Sequence, residues 1–332
     1  MSKLIENSVH CLTILKKLYL IRDLEEGIAA KYSEGKMRCP THLSIGQEGA
    51  PAALSTLLSH QDLAVSTHRA HAHYLAKGGC PKAMLAEIYG KATGCSGGRG
   101  GSMHLIDESV GFKGSTAIVG NTIPIGVGLA LSQKMRKQSN VTIVYLGDGA
   151  VEEGAFYESA NFAVLQQLPV IFVCENNLYS VYTSLDKRQP KDRKIHELAQ
   201  AIGLNSFSGD GNDVVSNYDI FHHAVDQTRQ GKGPCFIELS TYRWREHCGP
   251  NYDNNIGYRS EDEFIAWQKK EPISRFENWL LENNLVSRSE MKSLRAEVND
   301  LITQAFTFAD KSPFPEQSTL TQHIYCETSH ES

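Results

Sequence analysis

At 332 residues, with 41 % apolar and 21 % charged side chains, the chain is long enough to bury a substantial core and too apolar to be disordered. Its 33 basic and 38 acidic residues give a formal charge of −5 with no dense basic block, which argues against nucleic acid as a partner. No segment reaches the roughly 18 apolar residues that cross a bilayer, so no membrane role is expected.

The cysteines, Cys11, Cys39, Cys80, Cys95, Cys174, Cys235, Cys248 and Cys326, are scattered and form no CxxC pair. Reduced thiols are therefore expected rather than a zinc site or a disulfide framework. The N-terminus has neither the apolar region of a secretory signal nor the Arg- and Ser-rich bias of a transit peptide, which makes the cytoplasm the expected compartment.

In chain order, residues 9–30 carry leucines and isoleucines at helical spacing and predict an amphipathic helix, packed on a core or on another chain. "SIGQEGAPAALSTLL" predicts a turn and then a helix. Residues 63–66 predict a short strand running into a polar, histidine-rich loop, "THRAHAHYLAKGG". Residues 94–104, "GCSGGRGGSMH", contain five glycines and predict a loop whose entropic cost requires something to bind or pack there. "AIVGNTIPIGVGLALSQKM" predicts a short apolar run and a Gly/Ala-rich helix that can approach other backbone closely.

The middle alternates: strand 141–146, helix 154–167, strand 170–174, helices 195–202 and 220–229, strand 235–240. This order predicts an α/β fold with a mostly parallel sheet flanked by helices. After Arg259 the chain reads as charged helices at 261–270, 273–283 and 289–308, then a polar tail. The expected organisation is an N-terminal helical extension (1–40), an α/β domain (41–260), and a C-terminal helical extension and tail (261–332).

The stretch from Gly147 to Asn177, "GDGAVEEGAFYESANFAVLQQLPVIFVCENN", carries the chemistry. Asp148 follows one expected strand and Asn177 the next. In an open parallel sheet both then emerge at the C-terminal edge, where ligands bind. A carboxylate, an amide oxygen and a loop carbonyl form an all-oxygen set suited to Mg²⁺, which completes its octahedron with phosphate oxygens and water. Gly149 and Ala150 place backbone amides at a helix start, which favours anionic phosphate. Alone, Gly-Asp-Gly also describes an ordinary turn. The pairing with Asn-Asn one βαβ unit later is what favours a metal–diphosphate clasp.

This pattern resembles the thiamine diphosphate motif. "THLSIGQEG", "STHRAHAHYLAKGG", "GGRGGSMH", "AIVGNTIPIGVGLA", "GDGAVEEGAFYESANFA", "LPVIFVCENNLYS" and "TYRWREH" resemble, in order, the alpha chain of two-subunit 2-oxo acid dehydrogenases of the pyruvate and acetoin type. The resemblance covers about residues 10 to 265 and implies the thiamine diphosphate-binding fold. It implies Asp148, Asn177 and the carbonyl of Tyr179 as Mg²⁺ ligands, and Gly149 and Ala150 on the diphosphate. Arg69 would hold a terminal phosphate, with His68 beside it. Ala117, Ile118 and Val119 would support the aminopyrimidine, and Arg243 would anchor a loop or face phosphate. His71 and His247 would be the active-site histidines, stabilising charge and moving protons.

The family often has Gly and Tyr where this chain has Ala117 and His68. The motif "YRWREHCGP" also departs, with Arg245, Glu246 and Cys248 at unfamiliar positions; Cys248 stands where some relatives carry a phosphorylated serine. The glutamate that activates the cofactor comes, in such enzymes, from a beta chain. The implied enzyme is therefore a heterotetramer of two alpha and two beta chains, inactive as this chain alone. It decarboxylates pyruvate or cleaves acetoin and passes the acyl unit to a lipoyl acyltransferase. The alternatives are a thiamine-dependent carboligase, transferring a two-carbon unit from pyruvate to an aldehyde or ketone, and a non-catalytic assembly subunit.

Overall fold

Uninterrupted apolar runs such as Thr-Ile-Val-Tyr-Leu and Val-Ile-Phe-Val-Cys suit strands covered on both faces rather than on one. The computed structural model places them so. It describes residues 2–37, 39–322 and 324; Cys326 and the end of the polar tail lie outside the described residues. The strands are β1 (Leu63–Ser66), β2 (Phe112–Ser115), β3 (Thr142–Gly147), β4 (Val170–Asn176), β5 (Tyr179–Ser180), β6 (Thr183–Ser184), β7 (Asn205–Asp210) and β8 (Cys235–Ser240). Helices in the first half are α1 (Ser8–Lys31), α2 (Gly49–Ser55), α3 (His71–Lys77), α4 (Pro81–Ile88), α5 (Thr122–Met135) and α6 (Gly154–Leu165). Those in the second half are α7 (Leu185–Arg188), α8 (Ile195–Ile202), α9 (Val214–Arg229), α10 (Glu261–Gln268), α11 (Pro272–Glu282) and α12 (Arg288–Lys311).

Six strands form one sheet in the order β2-β1-β3-β4-β8-β7, and every pairing in it is parallel. β5 and β6 make a separate antiparallel hairpin. Alternate residues face two apolar layers. Ile143, Tyr145, Ile171 and Val173 join a core with α1 to α4, α9, α11 and α12. Val144, Leu146, Phe172 and Cys174 join another with α5, α6 and α8. The first helix packs on this chain's own core, with Cys11, Ile14, Leu15 and Leu18 fully buried.

The connection from β1 leads to β2 on one side, whereas that from β3 leads to β4 on the other. The strand order thus reverses between β1 and β3, and the C-terminal ends of these two strands open a crevice. Three elements differ from the sequence reading. The histidine-rich stretch is helix α3, fully buried, because its imidazoles have internal partners. β2 and β7, with sequences FKGS and NSFSGD, are polar strands at the two edges of the sheet. Helix α9 begins at Val214, capped by the Asp213 side chain, rather than at residue 220.

Candidate active site

Asp148 opens a short 3-10 turn, Asp148–Glu152, directly after β3, and Asn177 directly follows β4. Gly147 pairs with Glu175 across these strands, so the two side chains leave the sheet at the same edge. Asp148 is only 2 % exposed. Burial pushes its carboxyl pKa up, opposed by Arg188 and by the N–H groups of its own turn and of Asn177. The Arg188 guanidinium pairs with both Asp148 and Glu152 and donates to the Thr183 carbonyl at 3.1 Å. A desolvated carboxylate requires a counter-charge, and here a cationic side chain stands where the sequence calls for a metal ion.

The Asn177 amide is oriented by a buried relay. Its Nδ2 donates to Gln47 Oε1 at 3.1 Å, and Gln47 Nε2 donates to Glu175 Oε2 at 3.2 Å. Glu175 Oε1 meets His73 Nε2 at 3.1 Å, and His73 Nδ1 meets Ser66 Oγ at 2.7 Å. His73 also stacks on Tyr145, with ring centroids 3.8 Å apart. With its N–H group turned to Gln47, Asn177 keeps its oxygen on the other side, where it accepts the Tyr179 N–H at 3.2 Å. Leu178 between them has φ +72°, and Val181 on the hairpin has φ +54°. Left-handed backbone at non-glycine residues, above all a β-branched one, is strain of the kind that clusters at ligand sites. Gly149 permits this approach, since a Cβ there would lie 2.7 Å from Ser180 Oγ.

The facing wall follows β1. Arg69, 6 % exposed, donates from Nη1 to the Leu43 carbonyl at 2.5 Å and from Nη2 to the His247 carbonyl at 3.1 Å. Burial and then the Arg243 charge lower its pKa. His42, His68 and His247 gather beside it. Burial and then Arg69 hold their pKa values at about 2, 4 and 3, so all three rings are neutral at pH 7.

One cavity at the C-terminal sheet edge is lined by His68, Arg69, Ala117, Val119, Asp148, Gly149, Ala150, Asn177, Tyr179 and His247. Three expected site residues lie elsewhere. His71 is fully buried, with Nδ1 on Glu25 Oε1 at 3.0 Å and Nε2 on Ser102 Oγ at 2.8 Å; α3 turns it into the core, so it acts only through neighbours. Arg243 lies under the hairpin, donating to the carbonyls of Arg245 (2.6 Å) and Val181 (2.9 Å) and to the Tyr258 hydroxyl (2.7 Å). Of the two roles expected for it, the geometry supports the loop anchor. Ile118 is 62 % exposed, outside the cavity wall.

The sequence reading missed His42, Gln47 and Glu175, which line the cavity, and Arg188. His42 and Gln47 lie inside the quoted word "THLSIGQEG", which was a findable signal. The glycine-rich loop also finds its organiser. The Glu87 carboxylate accepts the N–H groups of Ser96, Gly98, Gly100 and Gly101 at 2.6 to 3.1 Å, which fixes the segment carrying Ser102 and Met103.

The arrangement defines a cofactor-binding α/β chain with an anion- and cation-binding crevice at its switch point. A model of the Dehydrogenase E1 component family matches residues 16–318, and the chain belongs to that family. It is similar to the pyruvate dehydrogenase E1 component subunit alpha of Rickettsia bellii, 36 % identical over 310 residues, covering 93 % of this chain and 94 % of the relative. It is similar also to that subunit of Porphyra purpurea, 36 % identical over 323 residues with 95 % and 93 % covered. The chloroplastic alpha-3 subunit of Oryza sativa is 36 % identical over 323 residues, with 95 % and 75 % covered.

Proposed function

We propose that this chain is the alpha subunit of a thiamine diphosphate-dependent dehydrogenase first component acting on pyruvate, completed by a beta subunit. The convergence of Asp148 and Asn177 at adjacent strand ends, across one crevice from Arg69, carries the reading. The donors suit the group. Asp148 already needs a counter-charge, Asn177 turns an oxygen away from Gln47, and Gly149 leaves no side chain between the turn and the hairpin. Asp148, Asn177 and the Tyr179 carbonyl would hold Mg²⁺. The amides of Gly149 and Ala150, with Arg69, would hold the diphosphate. Ala117, Ile118 and Val119 would support the other end of the cofactor.

When bound, thiamine diphosphate supplies the nucleophile for the 2-oxo carbonyl and a sink for the electrons released with CO₂. The chain's part is binding, charge and protons. Arg69 Nη2 lies 3.5 Å from His247 Nδ1, which leaves the ring proton on Nε2, available to a reacting oxygen. His71, between Glu25 and Ser102, positions the glycine-rich loop and the Ser44 amide rather than touching substrate.

Asp148 and Glu175 are the carboxylates of this cavity among the described residues, and both are engaged, by Arg188 and by His73 with Gln47. That supports an activating glutamate from a beta chain. So does the exposed apolar set on the adjacent helices α5 and α6: Ile125, Met135, Tyr157, Phe162 and Leu165. A two-alpha, two-beta heterotetramer and acyl transfer to a lipoyl acyltransferase complete the proposal. The names of the relatives favour pyruvate over acetoin and the dehydrogenase over the carboligase reading.

The test is dye-linked decarboxylation of pyruvate, with thiamine diphosphate and Mg²⁺, by the chain alone and with its beta chain. Activity only with the partner is expected. Turnover by the chain alone contradicts the split site, and an active assembly that turns over acetoin but not pyruvate contradicts the substrate.

A further inference from the structure

The mouth of the crevice holds a second set of ligand atoms, unlike the first. His42, His68 and His247 each offer a ring nitrogen, and these nitrogens lie within 4.8 Å of one another. Their ring centroids are 4.7, 5.0 and 5.3 Å apart. His42 is 6 % exposed and its Nδ1 has no hydrogen-bond partner among the described residues. A buried polar atom left without a partner costs on the order of 1–3 kcal/mol, so the position calls for a ligand.

We infer that His42, His68 and His247 form an all-nitrogen cation site for a borderline transition ion of the Zn²⁺ class. Three imidazoles with one open position are the donor set of many zinc centres, and imidazole selects Zn²⁺, Cu²⁺ or Ni²⁺ over Mg²⁺. The rings are already neutral at pH 7, so an ion displaces no proton from them. His68 supplies the third nitrogen at a position where the family often has tyrosine.

Arg69 opposes a cation by its charge. Its fork, however, is directed at the carbonyls of Leu43 and His247, and the same charge favours an anion as the fourth ligand. An ion held here stands at the cavity wall beside Arg69 and inhibits by occupying the approach to it. The inference does not rest on the Mg²⁺–diphosphate reading, because the two sites share no ligand.

The full chain, alone and assembled with its beta chain, is titrated with Co²⁺ as a visible probe in excess Mg²⁺. We expect one Co²⁺ per chain with the absorption of nitrogen coordination, displaced by Zn²⁺ and not by further Mg²⁺. His68→Tyr and His42→Gln should weaken binding by more than the roughly 10–100-fold that follows loss of an outer-shell partner. His223→Gln, at an exposed histidine, should change nothing. Unchanged affinity in both cluster variants overturns the inference, as does an oxygen-type Co²⁺ spectrum in the wild type, which needs no variant to fold. Failure of cofactor binding with Co²⁺ binding intact would instead count against the diphosphate clasp.

Discussion

Replacing Arg188 with alanine separates the protein's own counter-charge from the metal ion it stands in for. The pair is buried, with side chains 10 % and 2 % exposed. Removing one partner of a buried pair costs about 3–5 kcal/mol. Asp148 keeps the N–H groups of its turn and of Asn177 and can take up a proton, which lowers the expected loss to about 2–3 kcal/mol in metal-free buffer. In saturating Mg²⁺ and thiamine diphosphate the ion replaces the guanidinium, and the loss should fall below about 1 kcal/mol. By linkage the difference, about 2 kcal/mol, must reappear as metal affinity roughly 30-fold tighter in the variant, since about 1.4 kcal/mol is tenfold. Urea denaturation in EDTA and in Mg²⁺ with cofactor gives the first quantity, and Mn²⁺ titration by spin resonance the second. Equal loss of stability in both buffers, with unchanged Mn²⁺ affinity, would refute the idea that Arg188 and the metal compete for Asp148.

Gln47→Leu frees the Asn177 amide to rotate and should weaken Mn²⁺ binding about tenfold, the scale of a lost outer-shell partner, whereas Gln47→Glu keeps an acceptor for Nδ2 and should lose less. The same titration decides; equal losses in both variants would contradict the relay. The three depressed imidazoles also predict a pH dependence. Their folded pKa values lie below the unfolded value near 6.5, so between about pH 4 and 6.5 the unfolded chain holds the extra protons. Stability therefore falls as pH falls through that window, by about 1.4 kcal/mol per pH unit for each ring. His68→Tyr should reduce the slope by one proton's worth in denaturation at pH 5 and 6.5, and an unchanged slope would place His68 outside the cluster.

The strands that form the crevice were legible because parallel strands buried on both faces must be apolar throughout, as 141–146 and 170–174 are. Edge strands β2 and β7 carry no such demand, and their Lys, Asn and Ser residues conceal them. Asp148 and Asn177 were legible because strand ends fix where a side chain emerges. His71 was misplaced for the opposite reason. Polarity in "THRAHAH" suggested solvent, but Glu25, Ser102, Ser66 and Glu175 satisfy both histidines inside the core, and two of these partners lie more than 30 residues away from theirs. Arg188 was invisible because nothing in "SLDKRQP" announces an ion pair reaching back 40 residues to Asp148. Long-range polar partners are set by the fold, and a local pattern does not encode them.

The claim that Asp148 clamps a metal–diphosphate is tested most directly by equilibrium dialysis of thiamine diphosphate against the assembly of this chain with its beta chain. The wild type should retain cofactor in Mg²⁺ and release it in EDTA. Asp148→Asn, which keeps the shape and removes the charge, should weaken retention by about a hundredfold or more while the assembly stays intact by sedimentation. Wild-type affinity in Asp148→Asn, or retention indifferent to EDTA, would contradict the account.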